Sequence, residues 1–210
     1  MTHSDIIARI CAAAPVIAVL TIERVEDAQP LARALVAGGL PALEITLRTD
    51  AALEAIAAIA EVEGAMTGVG TLLTPTQVRD AKSAGAIFGV SPGATPTLVA
   101  AAQEIDLPLL PGAATATEAM RLLEQGFIFQ KFFPAEAAGG ALALGSIAGP
   151  LPQIKFCPTG GITPENVKSY LALPNTLCVG GSWIAPKALV DSGSWEKITQ
   201  IARHAADLLR

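Results

Sequence analysis

The sequence predicts an α/β fold of the (β/α)8 TIM-barrel class, with an extra N-terminal helix and one domain spanning residues 1–210. Three observations lead there. Eight short β-like runs recur along the chain. The seven intervals between them are roughly 20–26 residues, the length of one strand, one helix and two short loops. The stretch after the first strand reads VLTIERVED, without the GxGxxG that an open doubly wound sheet, the runner-up, usually places there.

The eight runs are Val16–Leu20, Ala42–Leu47, Met66–Gly70, Ile87–Ser91, Leu107–Leu110, Ile128–Phe133, Ile154–Pro158 and Leu177–Gly180. Asp27–Ala37 is rich in Ala and Leu and stops before Gly38-Gly39. Ala51–Glu61 follows the cap pair Thr49-Asp50 and stops before Gly64. Pro75–Ala84 starts after Thr74 and ends at Gly85, and Pro164–Leu171 repeats that arrangement after Thr163. A cap before and a glycine after are helix boundary signals. Asp5–Ala14 and Trp195–Leu209 supply terminal helices.

Composition narrows the function classes. Hydrophobic residues form 51% of the chain and charged residues 16%, too apolar for disorder and suited to an oligomer that hides surface. The net charge of −5 and the lack of a Lys/Arg run argue against nucleic acid. The N-terminus lacks a basic leader, and no apolar stretch of about 18 residues offers a membrane span. Cys11, Cys157 and Cys178 are far apart in sequence and read as reduced, buried thiols of a cytoplasmic protein. His3 and His204, near the two ends, offer no grouped ligands for a metal.

Barrel active sites lie at the C-terminal ends of the strands. In LEITLR, Leu43, Ile45 and Leu47 share one face and Glu44, Thr46 and Arg48 the other, which sends Glu44 and Arg48 toward the lumen. They read equally as catalytic groups or as a structural ion pair. Lys131 lies in the aromatic run FQKFF and shares parity with Phe129 and Phe133. Desolvation there favours the neutral amine that attacks carbonyls; the alternative is a snorkelling or ion-paired lysine. Gly160-Gly161 and Gly180-Gly181-Ser182 close the seventh and eighth strands, where such barrels cradle phosphate. Pro111-Gly112 reads as a plain turn, and Pro92 as a turn residue able to wall the pocket.

LEITLRT, GVGT, SPG, QKFFPAE, FCPTGGI and CVGGSW, in this order from about Pro15 to Trp183, resemble the motif series of bacterial 2-keto-3-deoxy-6-phosphogluconate (KDPG) aldolases. The resemblance implies a class I, metal- and cofactor-free lyase, typically a homotrimer, serving the Entner–Doudoroff pathway. It implies Lys131 as Schiff-base former and Glu44 as proton shuttle. Arg48 and Thr71 would bind the pyruvate carboxylate, Pro92 and Phe133 line the pocket, and Thr159 contact the sugar hydroxyls. Gly160, Gly161, Gly180, Gly181 and Ser182 would hold phosphate. Two departures are Val69, whose parity with Thr71 would narrow the lumen, and Gln130, which should point away from it. Rival readings are the galactonate-epimer aldolase, the aldolase of unphosphorylated 4-hydroxy-2-oxoglutarate, a phosphate-binding isomerase or epimerase, and a silent assembly subunit.

Overall fold

A computed structural model describes residues 2–208. Its elements follow in chain order as α1 (His3–Ala12), β1 (Val16–Leu20), α2 (Val25–Ala37), β2 (Ala42–Thr46), α3 (Ala52–Ala60), β3 (Met66–Gly70) and α4 (Pro75–Ser83). Next come β4 (Phe88–Val90), α5 (Pro96–Glu104), β5 (Leu109–Leu110), β6 (Gly112–Ala113), α6 (Ala116–Glu124) and β7 (Phe129–Phe132). The chain finishes with α7 (Gly140–Ile147), β8 (Lys155–Pro158), α8 (Val167–Leu171), β9 (Val179–Gly181), α9 (Lys187–Asp191) and α10 (Trp195–Ala206).

All paired strands are parallel. A six-stranded sheet, ordered β5-β4-β3-β2-β1-β9, forms a half-barrel, and a three-stranded sheet, β6-β7-β8, lies beside it. The two sheets meet on both sides. At one side the chain runs from β5 directly into β6, and Pro111 O, between them, accepts from Lys131 N–H at 2.8 Å. At the other, Phe156 N–H donates to Asn175 O at 2.7 Å and Thr159 bridges Gly180.

The alternation read in LEITLR has a structural counterpart. Leu43 and Ile45 belong to the core between sheet and helices, with Leu31, Leu35, Ile56 and Ile59. Glu44 lies on the opposite, enclosed face, in register with Val19 and Gly68. That face is filled by Ile17, Ala42 and Phe88 toward the N-terminal ends of β1, β2 and β4 and by Val90 and Leu110 at the last positions of β4 and β5, and α1 adds Ile7, Ile10 and Cys11.

Several sequence expectations change. Pro111-Gly112 is not a plain turn. Proline has no N–H to donate, and pairing passes there from β4 to β7, with Gly112 in register with Lys131. Gly112 also permits a close approach, since a Cβ would lie 2.3 Å from Pro92 O. The helix expected from Pro164 begins at Val167, because Asn166 Oδ1 takes the Thr163 N–H and holds the preceding residues in a turn. Thr49 caps nothing; its hydroxyl donates to Ile22 O and ties β2's end to the loop after β1. Thr74 does cap α4, with Gln77 completing a reciprocal capping box. The expected end of the last helix, Leu209, lies outside the described residues.

The three cysteines, remote in sequence, meet on the enclosed face. Hydrogen bonding to Cys11, then to Cys157, and burial push the Cys178 thiol well above its ordinary range. Cys178 is therefore a packing thiol with little nucleophilic character.

Candidate active site

Strands β2 and β7 bring together two residues 87 positions apart. Lys131 Nζ donates to Glu44 Oε1 at 3.2 Å, with side-chain exposures of 5% and 3%. The lysine does not snorkel, and Glu44 pairs with it rather than with Arg48. Burial removes most of the hydration of both charges, so each depends on the other. The amine also sits 5.2 Å from the centroid of the Phe133 ring.

Two glycines make the room. A Cβ on Gly70 would lie 2.3 Å from Glu44 Oε1, so the end of β3 must be bare for the carboxylate to stand there. A Cβ on Gly180 would lie 2.3 Å from Thr159 Oγ1. In the sequence Gly70 shows only as the end of a strand. Its signal was its place beside β2, which only the register reveals.

Arg48 stands exposed just past β2, and its Nε donates to Thr71 Oγ1 at 3.2 Å. Thr71 has φ 61°, a left-handed conformation rare for a β-branched residue. That turn overrides strand parity. Val69 is in register with Ile45 and lies in the helix-facing core, so it does not narrow the lumen, while Thr71 turns toward Arg48. Gln130 points away as expected. It is fully buried and its Nε2 donates to Ala119 O at 3.0 Å and Phe127 O at 2.9 Å, satisfying carbonyls on the α6 side.

The glycine loop after β8 adjoins this pair through Phe133. A Cβ on Gly160 would lie 3.2 Å from the Phe133 ring, the same ring that faces Lys131. Gly160 and Gly161 have φ of 100° and 78°, so the turn demands glycine at both positions. Thr159 is buried and its hydroxyl donates to Cys157 O at 3.4 Å. Gly181 lies under the Trp183 ring, and Ser182 borders a cleft with Val19, Thr21, Glu23 and Lys187. Pro92 follows β4 with its carbonyl against Gly112, one strand away from Lys131. Lys131, Glu44, Phe133 and the Gly160 turn thus form one contact chain. Arg48 and Thr71 form a second pair beginning next to Gly70.

Among the described residues no group of three or more His, Cys, Asp or Glu could hold a metal ion, and no helix is long and apolar enough to cross a membrane.

Known proteins share this architecture and sequence. The family model for KDPG and KHG aldolase matches residues 7–201. The KHG/KDPG aldolase of Escherichia coli K12 is 50% identical over 194 residues, covering 92% of this chain and 91% of that one. The crystal structure of the 2-keto-3-deoxy-6-phosphogluconate aldolase of Zymomonas mobilis superposes with a TM-score of 0.92 at 48% identity, covering 96% of this chain and 97% of the other. The KDPG aldolase of Legionella pneumophila, with pyruvate captured as a covalent carbinolamine, gives 0.91 at 46% identity, covering 94% and 97%. The chain belongs to the KDPG and KHG aldolase family.

Proposed function

We propose that the protein is a class I aldolase that cleaves 2-dehydro-3-deoxy-6-phosphogluconate to pyruvate and D-glyceraldehyde 3-phosphate, with side activity on 4-hydroxy-2-oxoglutarate. The buried amine–carboxylate contact of 3.2 Å carries this reading, since imine chemistry needs a nucleophile and a proton acceptor side by side. The relative with trapped pyruvate supports a carbinolamine route.

Glu44 takes a proton from Lys131, and the free amine attacks C2 of the substrate. Glu44 hands that proton to the carbinolamine hydroxyl, which leaves as water, so that a protonated imine forms and Glu44 is a carboxylate again. Glu44 then removes the C4 hydroxyl proton, the C3–C4 bond breaks, and its electrons enter the imine to give an enamine. D-Glyceraldehyde 3-phosphate leaves. Glu44 returns a proton to C3, and hydrolysis releases pyruvate and Lys131. The imine is the electron sink, so the chemistry calls for no metal or cofactor. Arg48, whose planar fork can bind both oxygens, and Thr71 hold the substrate carboxylate. Pro92 and Phe133 wall the pocket, and Thr159 meets the sugar hydroxyls. Gly160, Gly161, Gly180, Gly181 and Ser182 take the phosphate through backbone N–H groups and one hydroxyl.

The same reading has residues 1–210 as one domain, closed into a (β/α)8 barrel with α1 as the extra N-terminal helix. The backbone bonds at both seams support closure. It is a homotrimer in the cytoplasm; exposed Leu142 (88%), Leu73 (56%) and Met120 (49%) favour an assembly.

The test is pyruvate release, read with lactate dehydrogenase, from the gluconate and galactonate epimers. The gluconate epimer should be cleaved faster. Faster cleavage of the galactonate epimer, or no pyruvate from either, would reject the assignment.

A further inference from the structure

Tyr170 on α8 is fully buried, yet its hydroxyl ends on the Oε1 of Glu136, 34 positions earlier in the turn after β7. Burial, then the hydrogen bond and charge of Glu136, push this hydroxyl above its ordinary value, so it remains a donor at working pH. Glu136 also embraces the glycine turn. Its N–H donates to Gly160 O at 3.1 Å, and Ala135 N–H to Thr159 O at 2.8 Å. A Cβ on Gly161 would lie 2.6 Å from Glu136 Cγ and 2.7 Å from its Cβ, so the Glu136 stem lies flat on the Gly161 backbone. On the other side Asn166 Nδ2 donates to Gly161 O at 3.0 Å. Glycines lack side chains by which a fold can fix them, so this turn is held by its neighbours alone.

We propose that Glu136 and Tyr170 are positioning residues that set the Thr159–Gly161 turn for the substrate phosphate, and thereby the preference for phosphorylated over unphosphorylated substrates; this rests on the aldolase reading above. Tyr170 anchors the carboxylate, and the anchored stem fixes Gly161. The anchor has a second consequence. A loose carboxylate beside a loop of backbone N–H groups would compete with phosphate as a rival anion. The hydroxyl of Tyr170 keeps Glu136 engaged elsewhere.

The experiment compares the full-length wild-type chain with Tyr170→Phe, Glu136→Ala and Glu136→Gln. KM and kcat are measured on 2-dehydro-3-deoxy-6-phosphogluconate and on 4-hydroxy-2-oxoglutarate. Tyr170→Phe and Glu136→Ala should raise KM for the phosphorylated substrate about tenfold, the scale of a lost hydrogen bond to a charged group, with kcat within about twofold. Both constants for the unphosphorylated substrate should stay at wild-type values. Glu136→Gln keeps an acceptor for Tyr170 and should restore near wild-type KM. Equal losses on both substrates, as a merely structural contact would give, would overturn the proposal, as would no change. Glu136 is solvent-exposed, so its variants carry the test should Tyr170→Phe fail to fold. A wild-type chain that releases pyruvate from neither substrate rejects the aldolase reading itself, a result separate from any difference among variants.

Discussion

Replacing Lys131 by Met removes the charge and nearly keeps the shape, and leaves the Glu44 carboxylate buried without its partner. The two side chains are 5% and 3% exposed and their charged atoms 3.2 Å apart. Coulomb's law at an effective dielectric of about 20 gives roughly 5 kcal/mol for that separation. Breaking one side of such a pair costs about 3–5 kcal/mol, because the remaining ion has lost its water and its counter-ion together. Glu44→Met leaves the ammonium stranded in the same way. The double variant, Lys131→Met with Glu44→Met, removes both charges and both desolvation penalties, and should recover to within about 1–2 kcal/mol of wild type. Urea unfolding of the four proteins at neutral pH gives a coupling energy, expected at about 3 kcal/mol or more. All three variants should be inactive, so stability and activity separate in the double variant. Additive single losses, with coupling under about 0.5 kcal/mol, would refute the claim that amine and carboxylate act as a buried charge pair.

Gly70→Ala places a Cβ 2.3 Å from Glu44 Oε1 and must displace the carboxylate; kcat should fall by about 100-fold, in keeping with misplacing a reacting group by about 1 Å, while wild-type kcat would contradict the packing argument. Arg48→Lys replaces a planar fork by a point charge and should raise KM about tenfold with kcat nearly unchanged, measured by steady-state kinetics. Glu118, which forms the α6 capping box with Thr115, is held below its ordinary value of 4.5, first by the adjoining Ala114 N–H and further by Thr115. A depressed folded value gives stability that is present above the unfolded value and lost as pH falls through the folded one. Glu118→Gln should therefore lower the melting temperature at pH 7, and the difference from wild type should vanish in acid below the folded value.

The sequence carried the parts of this molecule that depend on period and local chemistry. The alternation in LEITLR gave Glu44 its direction, because a strand covered on one side by helices must sort its side chains by face. The aromatic run around Lys131 marked a buried lysine. Thr74 and Pro75 marked the start of α4. What escaped is what arises between segments or at single dihedrals. Gly112 pairs with Lys131 only because Pro111, lacking an N–H, sits where the chain changes partners. Thr71 escapes strand parity through a left-handed φ that no period encodes, so Val69, which shares its parity, faces the helices and not the lumen. Cys11 on α1, Cys157 on β8 and Cys178 just before β9 come together only through tertiary packing. Glu136 and Tyr170 meet across two turns, and nothing in the identity of either residue announces the other.

The most direct measurement is borohydride trapping with pyruvate, followed by peptide mass mapping. If Lys131 is the imine-forming amine, its peptide alone gains the reduced pyruvate adduct, activity is lost in step with labelling, and Lys131→Met takes up no label. An adduct on another lysine with Lys131 unmodified, or complete inactivation without any adduct, would contradict the account.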